Sequence, residues 1–252
     1  MLKSETHFFC GTSNIVLPVP NKDHFPPEYK DKSRLNYYAS LFNSIEVNSS
    51  FYKIPLPRTV EKWANDVPEN FRFTFKFFGG ITHAKELNYD PAEIQRFFQS
   101  INAAGTRKGC LLIQFPASIS SYYFPKLAIL LDQIHCGNMA QGWKLALEFR
   151  DSSWYEDKTF ELLEKHSAAV VRHDMPKSKS PLTDTLTDFS YLRFHGEKGD
   201  YRGTYSDEFL KENAAYIRER TAEGKEVYVY FNNTMGEAVH NALDLRQFYL
   251  HE

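Results

Sequence analysis

The side chains of this sequence best suited to proton transfer, charge binding or substrate orientation are Glu46, Asn48, Lys76, His83, Gln114, Glu148, Arg150, Asp174, Arg193, His195 and Asn232. Glu46 and Glu148 could divide the work of a general acid and a general base, the pairing used on glycosidic bonds. His195, two residues after Arg193, is the preferred single proton carrier, because an imidazole titrates near neutral pH. Glu46, Glu148 and His195 are therefore the expected catalytic residues. Lys76, Arg150, Arg172 and Arg193 outnumber Glu46, Glu148 and Asp174. That surplus suits a small anionic ligand such as a phosphate or carboxylate. Glu46, Glu148, Asp174 and His195, with His83, are also the set from which a divalent metal site would be drawn. No His-x-x-x-His spacing supports it, and no cofactor is expected. Gly11-Thr-Ser13 is not a nucleophile elbow, and no cysteine stands beside an obvious base. The non-catalytic reading of the same residues is a salt-bridge network that fills an interior.

Most of these residues fall on strand-like runs. Such runs occupy residues 7–12, 44–50, 71–78, 109–116, 143–150, 168–174, 191–196 and 227–234. Helical spacing occupies 34–42, 59–67, 91–106, 124–135, 158–166, 207–223 and 236–250. Asp90 is placed to cap the third of these, with Pro91 in its first turn. Only residues 175–188, between the sixth and seventh strands, read as a loop. Strand–helix alternation on this scale predicts a single α/β domain over residues 1–252, a (β/α)8 barrel. A doubly wound open sheet is the alternative.

Alternate strand residues point to opposite sides. In the second strand Ile45 and Val47 oppose Glu46, Asn48 and Ser50, and in the third Phe73, Phe75 and Phe77 oppose Arg72, Thr74 and Lys76. The fourth opposes Leu111, Ile113 and Phe115 to Gln114, and the fifth opposes Leu147 and Phe149 to Glu148 and Arg150. In the seventh, Leu192 and Phe194 oppose Arg193 and His195; in the last, Val229 and Phe231 oppose Tyr230 and Asn232. In the sixth, Arg172 and Asp174 share a parity. Parallel strands buried on both faces normally read as continuous apolar runs. One polar face, strand after strand, predicts helices over the apolar side and a polar interior at the carboxyl ends, where barrel active sites lie.

The loops after the last two strands add Gly196, Gly199 and Gly203, then Asn232-Asn-Thr-Met-Gly236 with Asn233 or Thr234 as a helix cap. Barrels often bind phosphate there on backbone N–H groups. Ordinary turns and caps explain the same residues. Phe51, Tyr52, Trp154, Tyr201 and Tyr205 cluster by the same mouth, either to stack a sugar or nucleobase or to support loops. Residues 17–29, with four prolines, predict a stiff rim over the site.

Charge and composition narrow the classes. Lys+Arg number 30 against 32 Asp+Glu, a formal net charge of −2, which argues against a general duplex-DNA binder. The 21 Phe and 15 Tyr can build a large core, so neither disorder nor a disulfide miniprotein fits. Cys10 and Cys110 lie in apolar runs and read as buried thiols, and three cysteines with no Cys-x-x-Cys suit a reducing compartment. The polar start at residues 1–7 and the lack of a long apolar stretch predict a cytoplasmic chain with no membrane segment. Oligomeric state is not readable.

Ordered motifs run through the whole chain: Cys10-Gly-Thr-Ser13, Phe42-Asn-Ser-Ile-Glu-Val-Asn-Ser-Ser-Phe-Tyr52, Phe75-Lys-Phe77 with Ile81-Thr-His83, and Gln114-Phe-Pro116. Glu148-Phe-Arg150 with Ser153-Trp154, Arg193-Phe-His-Gly196 with Tyr201-Arg-Gly203 and Tyr205, and Tyr230-Phe-Asn-Asn-Thr234 with Asn241-Ala242 complete them. Together they resemble the YecE-like family, the bacterial and archaeal group called domain of unknown function 72. The resemblance implies a TIM-barrel-like fold and supplies no reaction. The chain departs from the pattern at Asn14-Ile-Val-Leu17, where Gly-Trp-x-Tyr-like residues are expected.

The sequence therefore predicts an enzyme acting by acid–base chemistry on an anionic, phosphorylated or polyhydroxylated substrate. Hydrolase or lyase/isomerase chemistry is favoured. Substrate-binding residues are expected to be Asn48, Tyr52, Lys76, His83, Gln114, Arg150, Trp154, Asp174, Arg193, Tyr201, Tyr205, Asn232, Asn233 and Thr234. A nucleic-acid-binding or processing protein resembling barrel endonucleases, and a non-catalytic ligand-binding barrel, are the alternatives.

Overall fold

Eight parallel strands form one sheet in the order β1-β8-β7-β6-β5-β4-β3-β2 in the computed structural model, which describes residues 7–138, 141–181 and 186–251. They are β1 (Phe8–Thr12), β2 (Ser44–Val47), β3 (Arg72–Lys76), β4 (Lys108–Phe115), β5 (Lys144–Phe149), β6 (Ala168–His173), β7 (Phe189–Phe194) and β8 (Glu226–Phe231). Helices α1 (Arg34–Leu41), α2 (Ser49–Tyr52), α3 (Pro57–Asn65), α4 (Gly79–Thr82), α5 (Ala92–Ile101), α6 (Phe124–Asn138), α7 (Asp157–Lys165), α8 (Asp207–Ala222) and α9 (Ala238–His251) lie between and after them. The (β/α)8 expectation is therefore the observed fold. Asp90 caps as its position suggests, its side chain accepting from the Ala92 N–H at 2.9 Å. Asn48 takes helical backbone angles and opens α2, so β2 ends earlier than its alternation implied.

Strands β1 and β2 close the barrel through a short bridge rather than a full ladder. Ser13 pairs with Glu46, and the Asn14 N–H donates to the Glu46 carbonyl at 2.7 Å. Buried backbone groups must be paired, and below the bridge side chains do this. The Asn43 amide accepts from the Cys10 N–H at 2.9 Å and donates to the Phe8 carbonyl at 2.7 Å. The Tyr38 hydroxyl accepts from the Thr12 N–H at 2.7 Å and donates to the Ser44 carbonyl at 3.1 Å. Gly11 is required at this seam, since a Cβ there would lie 2.0 Å from the Ser44 carbonyl oxygen. Gly11→Ala is expected to destabilise the protein by about 2–3 kcal/mol, as overpacking does. An unchanged urea midpoint would show that the seam tolerates separation.

The sheet divides the buried side chains. Outward residues such as Phe73, Phe75, Leu111, Leu147 and Phe194 join the core under the helices. Inside the barrel Phe9, Leu112, Val171, Tyr191, Tyr228 and Tyr230 belong to a separate cluster. Phe9 stacks on Tyr228 with ring centroids 4.7 Å apart. Barrel interiors usually hold branched aliphatics; here rings fill the lower part and charges the upper. Cys10 and Cys110 are buried, as their runs suggest, while Cys136 is exposed.

Three expectations meet corrections or limits here. In β6 the inward residues are Ala169, Val171 and His173, so Arg172 points outward, its guanidinium 3.9 Å from the centre of the Tyr216 ring. The run Ala168-Ala-Val-Val171 has no alternation to reveal this parity. With Arg172 removed, three cations, Lys76, Arg150 and Arg193, face three carboxylates, Glu46, Glu148 and Asp174. In the proline-rich segment 17–29 the Phe25 and Tyr29 rings pack against Tyr37 of α1 at 4.8 and 5.0 Å. The described part of 175–188 is a loop, while residues 182–185 and the polar residues 1–6 lie outside the described residues. No helix among the described residues is long and apolar enough to cross a membrane.

Candidate functional site at the barrel mouth

Arg193 of β7 organises the upper interior. Its Nε donates to both Glu46 oxygens at 3.1 and 2.9 Å, and one terminal nitrogen reaches Glu46 Oε1 at 2.8 Å. The other terminal nitrogen reaches Glu148 Oε2 at 3.0 Å. Ser13 and Tyr191 donate to Glu46 at 2.6 and 2.5 Å. Arg150 lies 2.5 Å from Glu148 Oε1, in an ion pair not aligned as a hydrogen bond. Burial pushes both carboxyls up. For Glu46 the Arg193 charge and its hydrogen bonds outweigh burial, and for Glu148 Arg150 and then Arg193 do so, holding it well below its usual range. Both glutamates are fully buried anions, a state that tolerates neither loss of a partner nor easy protonation.

His195 is fully buried beside this pair. Its Nε2 lies 2.9 Å from an Arg150 nitrogen and 3.1 Å from an Arg193 nitrogen. A guanidinium can only donate, so Nε2 carries the lone pair and Nδ1 the proton. That Nδ1–H faces Asp174 Oδ1 at 3.1 Å, and the same oxygen accepts from the His195 backbone N–H at 2.8 Å. Burial lowers the His195 pKa; Asp174 and Glu148 oppose it, the two arginines add smaller effects in the same direction as burial, and the net shift is downward. We expect His195 to be the neutral Nδ1–H tautomer at pH 7 and to stay so on mild acidification. Long-range 1H–15N spectra would read this directly, and an Nε2–H or doubly protonated ring at pH 7 would contradict the hydrogen-bond assignment.

Asp174 lies past the end of β6, which frees it from strand parity and lets it reach His195. Tyr205 donates its hydroxyl to Asp174 and accepts the Gly196 N–H at 2.5 Å. Burial and then the Asp174 charge raise the Tyr205 pKa. Its ring stacks on Phe209 with centroids 4.5 Å apart, so Tyr205 braces the loop rather than facing a ligand. Gly196 has φ +92°, and a Cβ there would meet the Arg202 carbonyl oxygen at 2.4 Å. Only glycine fits that turn.

The remaining predicted residues separate into those that face the mouth and those that do not. Lys76 ends β3 with its ammonium 4.3 Å from the centre of the Phe51 ring. No carboxylate of the described residues lies within ion-pair distance of it. Burial and then Arg193 depress its pKa from 10.5 to about 8. His83, exposed, packs edge-on against Phe51 at 4.7 Å and pairs Nδ1 with the Thr82 hydroxyl at 2.9 Å. Its pKa is pushed down by partial burial, then by Lys76 and Arg150. Gln114 and Asn232 share the inward parity of their strands, and their side-chain amides have no hydrogen-bond partner among the described residues. Asn48 keeps its side-chain oxygen unpaired at the start of α2. Tyr52 is exposed with its ring against Phe51, and the half-exposed Tyr201 ring lies 6.0 Å from His195.

Trp154 is the clearest misplacement. It is wholly buried on the helix side, donates its indole N–H to the Ile119 carbonyl at 2.6 Å and stacks on Phe149 at 5.0 Å. Such an indole holds a loop and touches no ligand. Asn233 is buried and donates to the Gly203 carbonyl and to Asn241 Oδ1, each at 3.0 Å. Thr234 sits half-buried in the turn before α9. Around it the Met235, Gly236 and Glu237 N–H groups donate to Tyr201, Asn233 and Gly203 carbonyls, so these amides bind loop to loop.

Two residues escaped the sequence reading. His173 lies inward on β6, its Nε2 3.1 Å from the Tyr155 hydroxyl and 3.2 Å from the Phe149 carbonyl, with a pKa pushed by burial to about 4. Tyr191 supports Glu46, and its parity with Arg193 was the available signal. The candidate metal ligands Glu46, Glu148, Asp174 and His195 are engaged with arginines, tyrosines and one another. Among the described residues no group of three or more His, Cys, Asp or Glu is arranged to hold a metal ion.

Comparison with known proteins follows the motifs. The profile of the family described as "Protein of unknown function DUF72" matches residues 10–251. The UPF0759 protein YunF of Bacillus subtilis is 26% identical over 244 residues, covering 84% of each chain. The UPF0759 protein YecE of Escherichia coli is 31% identical over 100 residues, 40% of this chain and 37% of that protein. A solved DUF72 protein of Enterococcus faecalis shares the fold at TM-score 0.78 and 22% identity, covering 96% of this chain and 95% of its own. One from Thermotoga maritima superposes at TM-score 0.69 and 27% identity, covering 95% and 98%.

Proposed function

The chain belongs to the DUF72 family, a description that carries no reaction, and from the chemistry of the mouth we propose an enzyme acting on an anionic, phosphorylated or polyhydroxylated substrate. One observation carries the reading. Lys76 is a half-buried cation with no carboxylate in ion-pair distance among the described residues, next to the charge of Arg150 and Arg193. A buried cation without a counter-ion is costly, and an anion from solution relieves that cost. Lys76 and the partly accessible Arg150 receive the charge, while Gln114 and Asn232 orient hydroxyl groups.

The burial of Glu46, Glu148 and His195 changes their part in this proposal. Each is held by charged or hydrogen-bonding partners within the network, so they are positioning residues that hold Arg150 and Arg193. Proton transfer at the substrate falls to Lys76, whose pKa of about 8 lets it give or take a proton near neutrality, assisted by neutral His83. Metal-assisted chemistry is no part of the reading.

Calorimetric titration with inorganic phosphate and ribose 5-phosphate tests it, using the wild type and Lys76→Met. Binding that weakens by about tenfold or more in the variant is expected for loss of a charge-assisted contact. Equal affinity in both proteins, or no binding to either, would overturn the reading.

A further inference from the structure

The corrected position of Arg172 leads to a second site. The outward faces of these strands are mainly apolar where the helices cover them, as with Val170, Leu192 and Phe194, and the polar Ser190 accepts from the Tyr216 hydroxyl at 3.2 Å. Arg172 breaks this rule. Its guanidinium lies over Tyr216 of α8, and no acceptor or carboxylate of the described residues lies within bonding distance of it. The ring accounts for one face of the guanidinium, and the five N–H donors on its edge have no partner among the described residues.

Those donors border a cleft of about 320 Å3 between β6, β7 and α8. Leu192, Phe194 and Phe209 give it an apolar wall, and Lys179, from the loop after β6, adds a second cation. Glu212 on α8 is a rim anion that does not reach ion-pair distance of Arg172. Asp174 also lines the cleft, but its carboxylate is bound to His195 and Tyr205.

We propose that this cleft binds a small ligand that joins a carboxylate or phosphate to an apolar ring, with the anion on Arg172 and the ring along Phe194 and Phe209. A guanidinium edge matches two oxygens of a carboxylate or phosphate, and its planar geometry cannot be copied by an ammonium. Tyr216 fixes the guanidinium in advance, which lowers the ordering cost of binding. The site lies on the helix side of the β6–β7 wall and shares no cation with the barrel mouth.

The experiment uses phenyl phosphate and benzoate as probes and the Lys76→Met protein as background, so that the mouth does not contribute. One probe molecule is expected to bind per chain by calorimetry. Affinity should fall about tenfold or more in Lys76→Met/Arg172→Gln, and fall in Lys76→Met/Arg172→Lys as well, because the bidentate edge is lost. Lys76→Met/Glu212→Gln should bind severalfold more tightly. Inorganic phosphate, which lacks a ring, should bind more weakly than phenyl phosphate. If Arg172→Gln lowers the melting temperature, the Glu212→Gln arm decides alone. No binding in the Lys76→Met background, or affinity indifferent to both Arg172 and Glu212, overturns the proposal and leaves the mouth reading untouched.

Discussion

Arg193→Met is expected to destabilise the barrel by about 3–5 kcal/mol, the range for removing one partner of a buried ion pair. The guanidinium supplies hydrogen bonds to both Glu46 and Glu148, and neither carboxylate has solvent to turn to. Glu148 retains Arg150, but Glu46 retains only Ser13 and Tyr191, which are neutral. For a chain of this size the loss corresponds to a melting temperature lower by about 6–20 °C. The pH dependence has a definite sign. In the wild type both carboxyls lie below their unfolded value of 4.5, so the stability they contribute is present above that pH and is lost as pH falls through their folded values. Without Arg193 burial at Glu46 is opposed only by neutral donors and its folded value rises, while Glu148 keeps Arg150, so the deficit of the variant shrinks on acidification through Glu46. Urea melts at pH 7 and pH 5 read both effects. A loss below about 1 kcal/mol would mean that the network is not the support it is described as here.

Lys76→Met acts in the opposite direction on stability. The wild-type ammonium is protonated with a folded pKa of about 8 against 10.5 unfolded. Between those values the unfolded chain binds more protons, so stability rises with pH across that window. The penalty is fully present below pH 8, and linkage sets it at about 3 kcal/mol as an upper value, since 1.36 kcal/mol accompanies each pKa step. Methionine fills similar volume beside Phe51 without the charge. The variant should therefore be more stable than the wild type at pH 7, and its stability should lack the rise between pH 8 and 10.5. A variant less stable at pH 7 would show that Lys76 has a favourable partner. Gain of stability together with loss of anion binding is the signature of a residue kept for function.

The parity argument reached the site wherever a strand alternates cleanly. Glu46, Lys76, Gln114, Glu148 and Arg193 share the inward parity of their strands, and Arg150, His195 and Asn232, one residue past their strands, continue it, because side-chain direction in a strand has a period of two. It failed in β6, where Ala168-Ala-Val-Val171 carries no contrast, and there Arg172 and His173 changed places. Trp154, expected at the mouth as one of its aromatics, lies in the short turn Ser152–Trp154, where no strand parity gives a direction. Asp174 reaches His195 only because β6 ends one residue before it.

Fold class, strand count and the polar face were determined by the sequence itself, since alternation and element spacing are local properties that survive any long-range arrangement. Which charges neutralise one another was decided only by tertiary structure. Glu46 and Arg193 are 147 residues apart and are joined by three hydrogen bonds, whereas Glu148 and Arg150, adjacent in parity, share their charges with both Arg193 and His195. Ion pairing depends on distance and burial, and neither is written in the spacing of residues on separate strands. Three cations opposite three carboxylates therefore leave Lys76 without a carboxylate in ion-pair distance among the described residues, because Arg193 holds two of those carboxylates and His195 and Tyr205 hold the third.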